Sequence, residues 1–418
     1  MIDKIIFWLV FLLPTQLGRH FWLKESYVFG LRVDYLSPTF YFQDFFILSI
    51  IVLFLRKNFW QFRQKKYLFF TGLYLIISLF NIYFSLNPLI SFFYWLRISE
   101  LILLGLAIGK YSKTFLDHIQ KCLPGIVLFE TGLSVFQMIK QGSIGGIFWF
   151  LGERSFSVFT PGIARADWLG KVLLRPYGTF SHPNSLAGFT LVSLIVISAK
   201  KRLGIVDKIS LTAGFTLLFL SFSRTAWLTV FILSFGYLLY NLYKGFRKKR
   251  LKFSFKYIAV LGILPLTIFF FTRTTIASSS FLVRQDLAKF ALRMIKLSPL
   301  LGVGGGNFVI ALAQNQPVWE WLYFLQPVHN IFLLVATETG VVGLIVFVAI
   351  LVLAVQKIFQ FSVLNSIYPD RWNLILAIFA VVFTGLFDHY WLTLIQNQLL
   401  FTIVLGLSFR FVNDKIEP

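Results

Sequence analysis

The chain has few charged residues for its length. Only 13% of its 418 residues are Asp, Glu, Lys or Arg, whereas soluble domains are usually about a quarter charged. Hydrophobic residues make up 57%, and the mean hydropathy is +0.77. The apolar residues form long continuous runs instead of the short alternating segments of a transmembrane barrel. The composition therefore predicts an all-α, polytopic membrane protein, organised as a single membrane domain over residues 1–418.

Residues that bind metals or form disulfides are also scarce. Cys122 is the only cysteine, which excludes an intrachain disulfide and a CxxC metal site. The sequence has no HExxH motif and no cluster of carboxylates, so we expect no metal site and no other cofactor. The five histidines are scattered: His20, His118, His182, His329 and His389.

About twelve apolar segments are long enough to be membrane-spanning helices. Lys and Arg concentrate in segments 56–66, 200–208 and 244–256, which twelve spans place on one side of the membrane. The positive-inside rule makes that side cytoplasmic, together with both termini. Much of the net charge of +22 lies in these short segments, so we expect no nucleic-acid partner. The predicted spans are 4–22, 40–55, 67–85, 89–109, 122–139, 185–199, 209–222, 225–243, 257–271, 329–356, 372–388 and 392–411.

Two long loops, 140–184 and 272–328, fall on the extracytoplasmic side of this topology. Both are rich in tryptophan and other aromatic residues, which settle at membrane interfaces. We expect short helices in them, among them one near 281–297. Long loops with structure of their own are usually functional.

The first loop ends in the turn-rich sequence Arg-Pro-Tyr-Gly-Thr-Phe-Ser-His-Pro-Asn, residues 175–184. Asn184 could cap the helix that follows, or it could bind a ligand. Arg224 lies in a tight hairpin at the same membrane face. An arginine there costs free energy unless it reaches lipid headgroups or is paired. It could therefore contact the headgroups or bind an anion, and we favour anion binding.

Arg284 lies on the helical stretch 281–297, apart from the face formed by Lys289, Arg293 and Lys296. That basic face is typical of a helix lying on anionic lipid.

The glycine-rich segment 302–307 lacks the lysine of a P-loop and does not fit GxGxxG. It predicts a turn, and a backbone anion nest stays open. His329 begins a helix and could remove a proton from a hydroxyl, or it could simply end the helix with a hydrogen bond. We expect a break in that helix near Gly340.

Other ionisable residues lie near apolar segments. Arg97 and Glu100 are three residues apart on one helix and can pair. Asp388 and His389 follow each other at a later hairpin.

Four of these motifs, taken in order, resemble the bacterial O-antigen ligase and O-antigen polymerase superfamily. They are residues 175–184, 223–227 (Ser-Arg-Thr-Ala-Trp), 302–308 and 329–343, and the resemblance covers roughly residues 170–350. It implies a glycosyltransferase of the inner membrane that moves a glycan from an undecaprenyl diphosphate carrier to an acceptor hydroxyl outside the cytoplasm. Ligase members attach O-antigen to the lipid A–core of lipopolysaccharide, and polymerase members join polysaccharide repeat units. The sequence does not separate the two.

The resemblance also implies roles for particular residues. Catalysis would fall to His329, Arg224 and Arg284. The histidine would deprotonate the acceptor hydroxyl, and the arginines would bind the departing diphosphate without a metal. Direct attack would invert the anomeric centre. The partners would be a lipid-linked oligosaccharide donor, a glycan or glycolipid acceptor, and membrane lipids. Further substrate-binding candidates are Arg175, His182, Asn184 and Asn330.

Two other classes of protein stay open. A flippase or transporter of lipid-linked oligosaccharides also needs many spans, but it should show inverted repeats, and none is visible. A structural protein of envelope assembly would not need Arg224 or His329.

Overall fold

The computed structural model describes residues 1–62, 64–247, 268–269, 274–275, 278–315, 325–361 and 371–410, and these are mostly helical. Most of the predicted span 257–271 and parts of the predicted segments 244–256 and 272–328 lie outside the described residues. The helices are α1 (Ile2–Phe11), α2 (Phe42–Phe62), α3 (Lys65–Tyr83), α4 (Pro88–Lys110), α5 (Ser112–Lys140), α6 (Ile147–Phe150), α7 (Pro183–Ser198), α8 (Ile205–Leu220), α9 (Arg224–Arg247), α10 (Ser278–Leu297), α11 (Phe308–Asn315), α12 (Ile331–Phe361), α13 (Arg371–Gly385), α14 (Tyr390–Thr393) and α15 (Ile395–Ser408).

Four helices in the described part of the chain are long and apolar enough to cross a membrane: α3, α4, α5 and α12. Shorter apolar helices occupy several other predicted spans, among them α7, α13 and α15. The fold class is therefore that of a helical membrane protein. The count of about twelve spans and the sidedness of the loops stay predictions.

The first predicted span, 4–22, is wrong in its extent. Helix α1 ends at Phe11, and residues 12–41 form irregular chain and short strands before α2 begins. Pro14 stands just past the helix end, where a proline cannot continue the helix, and Thr15 turns the chain by accepting a hydrogen bond from the backbone N–H of Leu17 at 3.1 Å.

Short antiparallel strands cover one end of the helical body. Within the segment 12–41, β1 pairs with β4 and β2 pairs with β3. Between α6 and α7, a hairpin of β5 and β6 extends to a third strand, β7. The strands are β1 (Gly18–His20), β2 (Tyr27–Val28), β3 (Leu31–Arg32), β4 (Thr39–Tyr41), β5 (Arg165–Trp168), β6 (Lys171–Leu174) and β7 (Thr274–Thr275).

Helix α7 lies at the centre of the helical body. Every residue from Pro183 to Ile197 is buried, because α5, α8, α13 and α15 pack around it. A helix that is apolar all round suits such a position. Gly188 allows close packing, since a Cβ there would lie 2.4 Å from the hydroxyl oxygen of Tyr390. The central helix fixes the position of its own N-terminus, where the polar residues of 175–184 end.

The predicted break in α12 is present at Gly340, whose φ of 67° and ψ of −172° are not helical. A Cβ at this position would lie 2.1 Å from the carbonyl oxygen of Leu300. The backbone of the preceding segment therefore enters the break, and only glycine fits there.

The glycine-rich segment 302–307 is a turn packed against α3 and α12. Its N–H groups bond to protein: Gly304 donates to the carbonyl oxygen of Glu338 at 3.0 Å, and Gly305 donates to Oδ1 of Asn81 at 2.8 Å. Since these donors already have partners, the segment serves packing and not an anion nest.

Candidate functional site

Two side chains of α5 shape the turn that leads into α7. Glu130 accepts hydrogen bonds from both the N–H and the hydroxyl of Thr179, at 3.0 and 2.7 Å. Gln137 accepts from the backbone N–H groups of Tyr177 and Gly178, at 3.0 and 2.8 Å. Gly178 has a φ of +57°. The turn is therefore rigid, and it fixes the positions of Arg175 before it and the helix start after it.

We expect Gly178→Ala to destabilise the protein by about 1–3 kcal/mol, the usual cost of a non-glycine residue in a strained left-handed conformation. A Cβ there would also lie 2.1 Å from Oε2 of Glu130. Thermal unfolding of the purified protein in detergent would measure the effect. The control is Gly125→Ala on α5, where a Cβ meets nothing within 4 Å. Equal Tm values for both variants would contradict the role given to this turn.

Arg175 is the first charged residue of the site and is only 5% exposed. Its Nε donates to the backbone oxygen of Ser221 at 2.9 Å, and its Nη2 donates to Oδ1 of Asn184. The amide of Asn184 donates in turn to Oδ2 of Asp388 at 2.8 Å. One hydrogen-bonded chain therefore joins the turn before α7, the turn before α9 and the segment after α13.

Asp388 is the centre of this chain and is 7% exposed. It follows the end of α13, outside the helical spans. The guanidinium of Arg284 lies 4.0 Å from Oδ2, and the backbone N–H of His389 donates to Oδ1 at 2.9 Å. Burial alone would raise the pKa of Asp388, but the neighbouring His329, His389 and Arg284 hold it well below its usual range. The carboxylate is therefore ionised at neutral pH.

His329 precedes α12 and lies beside this carboxylate. Its ring packs edge-on against that of His389, with centroids 5.1 Å apart. Within the described part of the chain, its Nδ1 is buried and makes no hydrogen bond. Burial lowers the pKa of His329 well below 6.5. The imidazole is therefore neutral near pH 7, with a nitrogen available to accept a proton.

Arg224 is the first residue of α9, directly after the turn whose Ser221 carbonyl binds Arg175. Burial lowers the pKa of Arg175 to about 10, and the positive charges of Arg284 and Arg224 act in the same direction. Arg284 and Arg224 therefore both lie within electrostatic range of Arg175. Such a concentration of guanidinium groups suits a multiply charged anion.

Residues 209–348 of the chain match the family model for O-antigen ligase. This match confirms the resemblance drawn from the motifs, and it includes Arg224, Arg284 and His329. No curated protein matches the chain. The family supports a glycosyltransferase-like function of the O-antigen ligase and polymerase type, in a membrane.

Two candidate residues of the O-antigen ligase motifs act as helix caps in the structure. Nδ1 of His182 accepts a hydrogen bond from the N–H of Asn184 at 3.1 Å, and burial lowers the pKa of His182 to about 3. Oδ1 of Asn330 accepts from the N–H groups of Phe332 and Leu333, at 2.9 and 3.0 Å. A substrate-binding role for either residue stays a prediction.

Asp388 and His389 lie beyond the segment that matches O-antigen ligase, and no sequence motif predicted that they belong to the site. The available signal was a pair of ionisable residues at the end of an apolar segment.

The other predicted pair of ionisable residues lies at a different place in the fold. Arg97 bonds to Glu100 as expected, and also to both carboxylate oxygens of Asp44. That buried ion cluster joins α2 to α4.

Among the described residues, the fold gathers one group that could hold a metal, although the histidines are scattered in the sequence. Ligand atoms of His329, Asp388 and His389 all lie within 4.8 Å of one another. Two histidines and a carboxylate would suit zinc. However, Asn184 and the His389 N–H already bond to the carboxylate, and the positive charge of Arg284 repels a cation. The surroundings therefore favour an anion over a metal ion.

Proposed function

We propose that this protein transfers a glycan from a polyprenyl diphosphate carrier to an acceptor hydroxyl, in the manner of an O-antigen ligase. The reaction would take place at the extracytoplasmic face of the bacterial inner membrane and would invert the anomeric centre. One observation carries the proposal: Arg284 and the neutral His329 lie beside one buried carboxylate, Asp388, and Asn184 links that carboxylate to Arg175, which lies within electrostatic range of Arg224.

The arginines suit the leaving group. As the bond from the anomeric carbon to the phosphate oxygen breaks, negative charge grows on the diphosphate, and preorganised donors stabilise it. Arg284 and Arg224 would bind this group, and the buried Arg175 would add positive charge nearby. Arg284 is 34% exposed, so its guanidinium can reach a ligand while it stays near Asp388.

The histidine suits the acceptor. The hydroxyl oxygen forms a bond to the anomeric carbon and gives its proton to His329, which is neutral and has a free nitrogen. The imidazolium that results would lie beside ionised Asp388, which stabilises it. Every step of this reaction uses residues of the chain itself.

The direct test is reconstitution. Purified protein in liposomes receives an undecaprenyl diphosphate-linked oligosaccharide and lipid A–core, and mass spectrometry follows the glycolipid product. We expect transfer that persists in EDTA. A ladder of longer glycans from donor alone would instead identify a polymerase. Movement of donor across the bilayer without any new glycosidic bond would identify a transporter and overturn the proposal.

We expect Arg224→Lys to slow transfer by about 10-fold, although it keeps the positive charge, because lysine lacks the planar fork that binds phosphate oxygens in pairs. The control is Arg293→Lys on the exposed side of α10. Initial rates in the reconstituted assay measure both. Equal loss in the two variants would point to general electrostatics and away from a defined diphosphate site.

A further inference from the structure

The segment 18–41 between α1 and α2 borders the site described above. The ring of Tyr35 meets the ring of His389 edge-on, with centroids 5.5 Å apart. Tyr35 is nevertheless 38% exposed, so one side of it faces outward while the other touches a residue of the site. This segment is therefore continuous with the mouth of the site.

Trp22 forms a flat platform on the same segment. Its ring is stacked on that of His20, with centroids 5.1 Å apart and planes 17° apart. The guanidinium of Arg32 lies 5.3 Å from the centroid of the Trp22 ring. The edge of Tyr27 approaches the same ring at 6.4 Å. A cationic group and two polar rings thus lie around the tryptophan.

Polar groups fill the distance between Trp22 and Tyr35. Nδ1 of His20 bonds to the hydroxyl of Thr39 at 2.8 Å. Asp34 and Arg154 form an ion pair of 3.3 Å in which both side chains are about half exposed. Both charges act on the imidazole of His20, so they lie near the stacked rings. The surface therefore alternates flat rings with exposed charged groups.

We propose that this surface binds the glycan of the acceptor and directs its hydroxyl to His329. The inference rests on the proposed function. Sugars offer apolar C–H faces and many hydroxyl groups, and partly exposed rings with charged neighbours complement both. The surface is defined by His20, Trp22, Arg32, Asp34 and Tyr35.

The geometry distinguishes acceptor from donor. Asn184 and Arg284 approach Asp388 at Oδ2, on the side of the arginines. His389 bonds to Oδ1, and its ring lies between Tyr35 and His329. The segment 18–41 therefore contacts the site through His389, on the Oδ1 side of Asp388, whereas Arg284 approaches from the Oδ2 side.

Kinetics of Trp22→Ala and Tyr35→Ala test the assignment. We expect the KM for acceptor to rise about 10-fold, as for the loss of a central aromatic contact, with little change in kcat or in the KM for donor. Trp22→Phe should restore part of the affinity. The control is Trp149→Ala on α6, which removes a tryptophan that is 51% exposed. An unchanged acceptor KM in both test variants, or an equal rise in the control, would overturn the inference.

A binding measurement separates this inference from the proposed function. The probe is the deacylated core oligosaccharide released from the source bacterium's own glycolipid, titrated in the absence of donor into purified protein carrying His329→Ala. We expect saturable binding that Trp22→Ala weakens about 10-fold and Trp149→Ala does not. Absence of binding, or equal binding with and without Trp22, overturns the inference even if transfer occurs. Binding that depends on Trp22 supports it even if reconstituted protein forms no glycosidic bond, in which case only the proposed reaction fails.

Discussion

Replacing His329 with alanine is expected to lower turnover by about 10²–10⁴-fold, the usual contribution of a general base. The imidazole has an unpartnered Nδ1 within the described part of the chain, and its pKa is lowered by burial, so it is a neutral proton acceptor beside the Asp388 carboxylate. The lipid-linked donor should still bind, because under the proposed function Arg224 and Arg284 would hold its diphosphate. Reconstituted transfer measures the turnover, and binding of radiolabelled donor measures the affinity.

The matched control is His118→Ala. His118 bonds to Asp3 at 2.9 Å and is not part of the arginine cluster. It should change turnover by less than about 2-fold. Full activity in the His329 variant would show that another group accepts the proton.

The pH dependence gives a second readout of the same histidine. Because the pKa of His329 is lowered from its ordinary value of 6.5, the neutral form persists as the pH falls through 6.5. We therefore expect kcat/KM to stay constant from pH 7.5 to 6.5 and to decrease only at lower pH, where the ring becomes protonated. An acid limb centred at or above 6.5 would indicate a solvated base instead.

Replacing Asp388 with asparagine is expected to lower turnover by about 10²-fold. The substitution removes the charge that stabilises protonated His329 and keeps the shape of the side chain. It also leaves one acceptor oxygen where two are needed, since Asn184 donates to Oδ2 and the N–H of His389 donates to Oδ1. The NH₂ group of the new asparagine would therefore face either the amide of Asn184 or the N–H of His389, both of which are hydrogen-bond donors.

The affinity for the donor separates this effect from a general loss of structure. Without the carboxylate, the arginines are less neutralised, so the KM for the diphosphate donor should not rise in Asp388→Asn. The control is Asp286→Asn on α10, where an exposed carboxylate lies 3.3 Å from Lys289. If Asp388→Asn retains full turnover, the carboxylate is not part of the reaction.

The local sequence pattern was sufficient to predict several features of this protein. Continuous apolar runs predicted the helices because a chain in lipid must satisfy its backbone hydrogen bonds internally. Gly340 predicted the break in α12, and the break is there. The motifs around Arg224 and His329 indicated the family because their residues are adjacent in sequence, and the family match includes both.

The tertiary structure alone brought the parts of the site together. Asn184 and Asp388 are 204 residues apart, and no periodicity or spacing relates two such positions. Residues 12–22, which include strand β1, were mistaken for the end of a span, because short apolar segments such as 21–23 do not show by composition whether the chain is helical. The packed turn of residues 302–307 likewise depends on Asn81 and Glu338. Each of these features depends on hydrogen bonds or ring contacts between distant segments, and packing decides such contacts only when the helices have assembled.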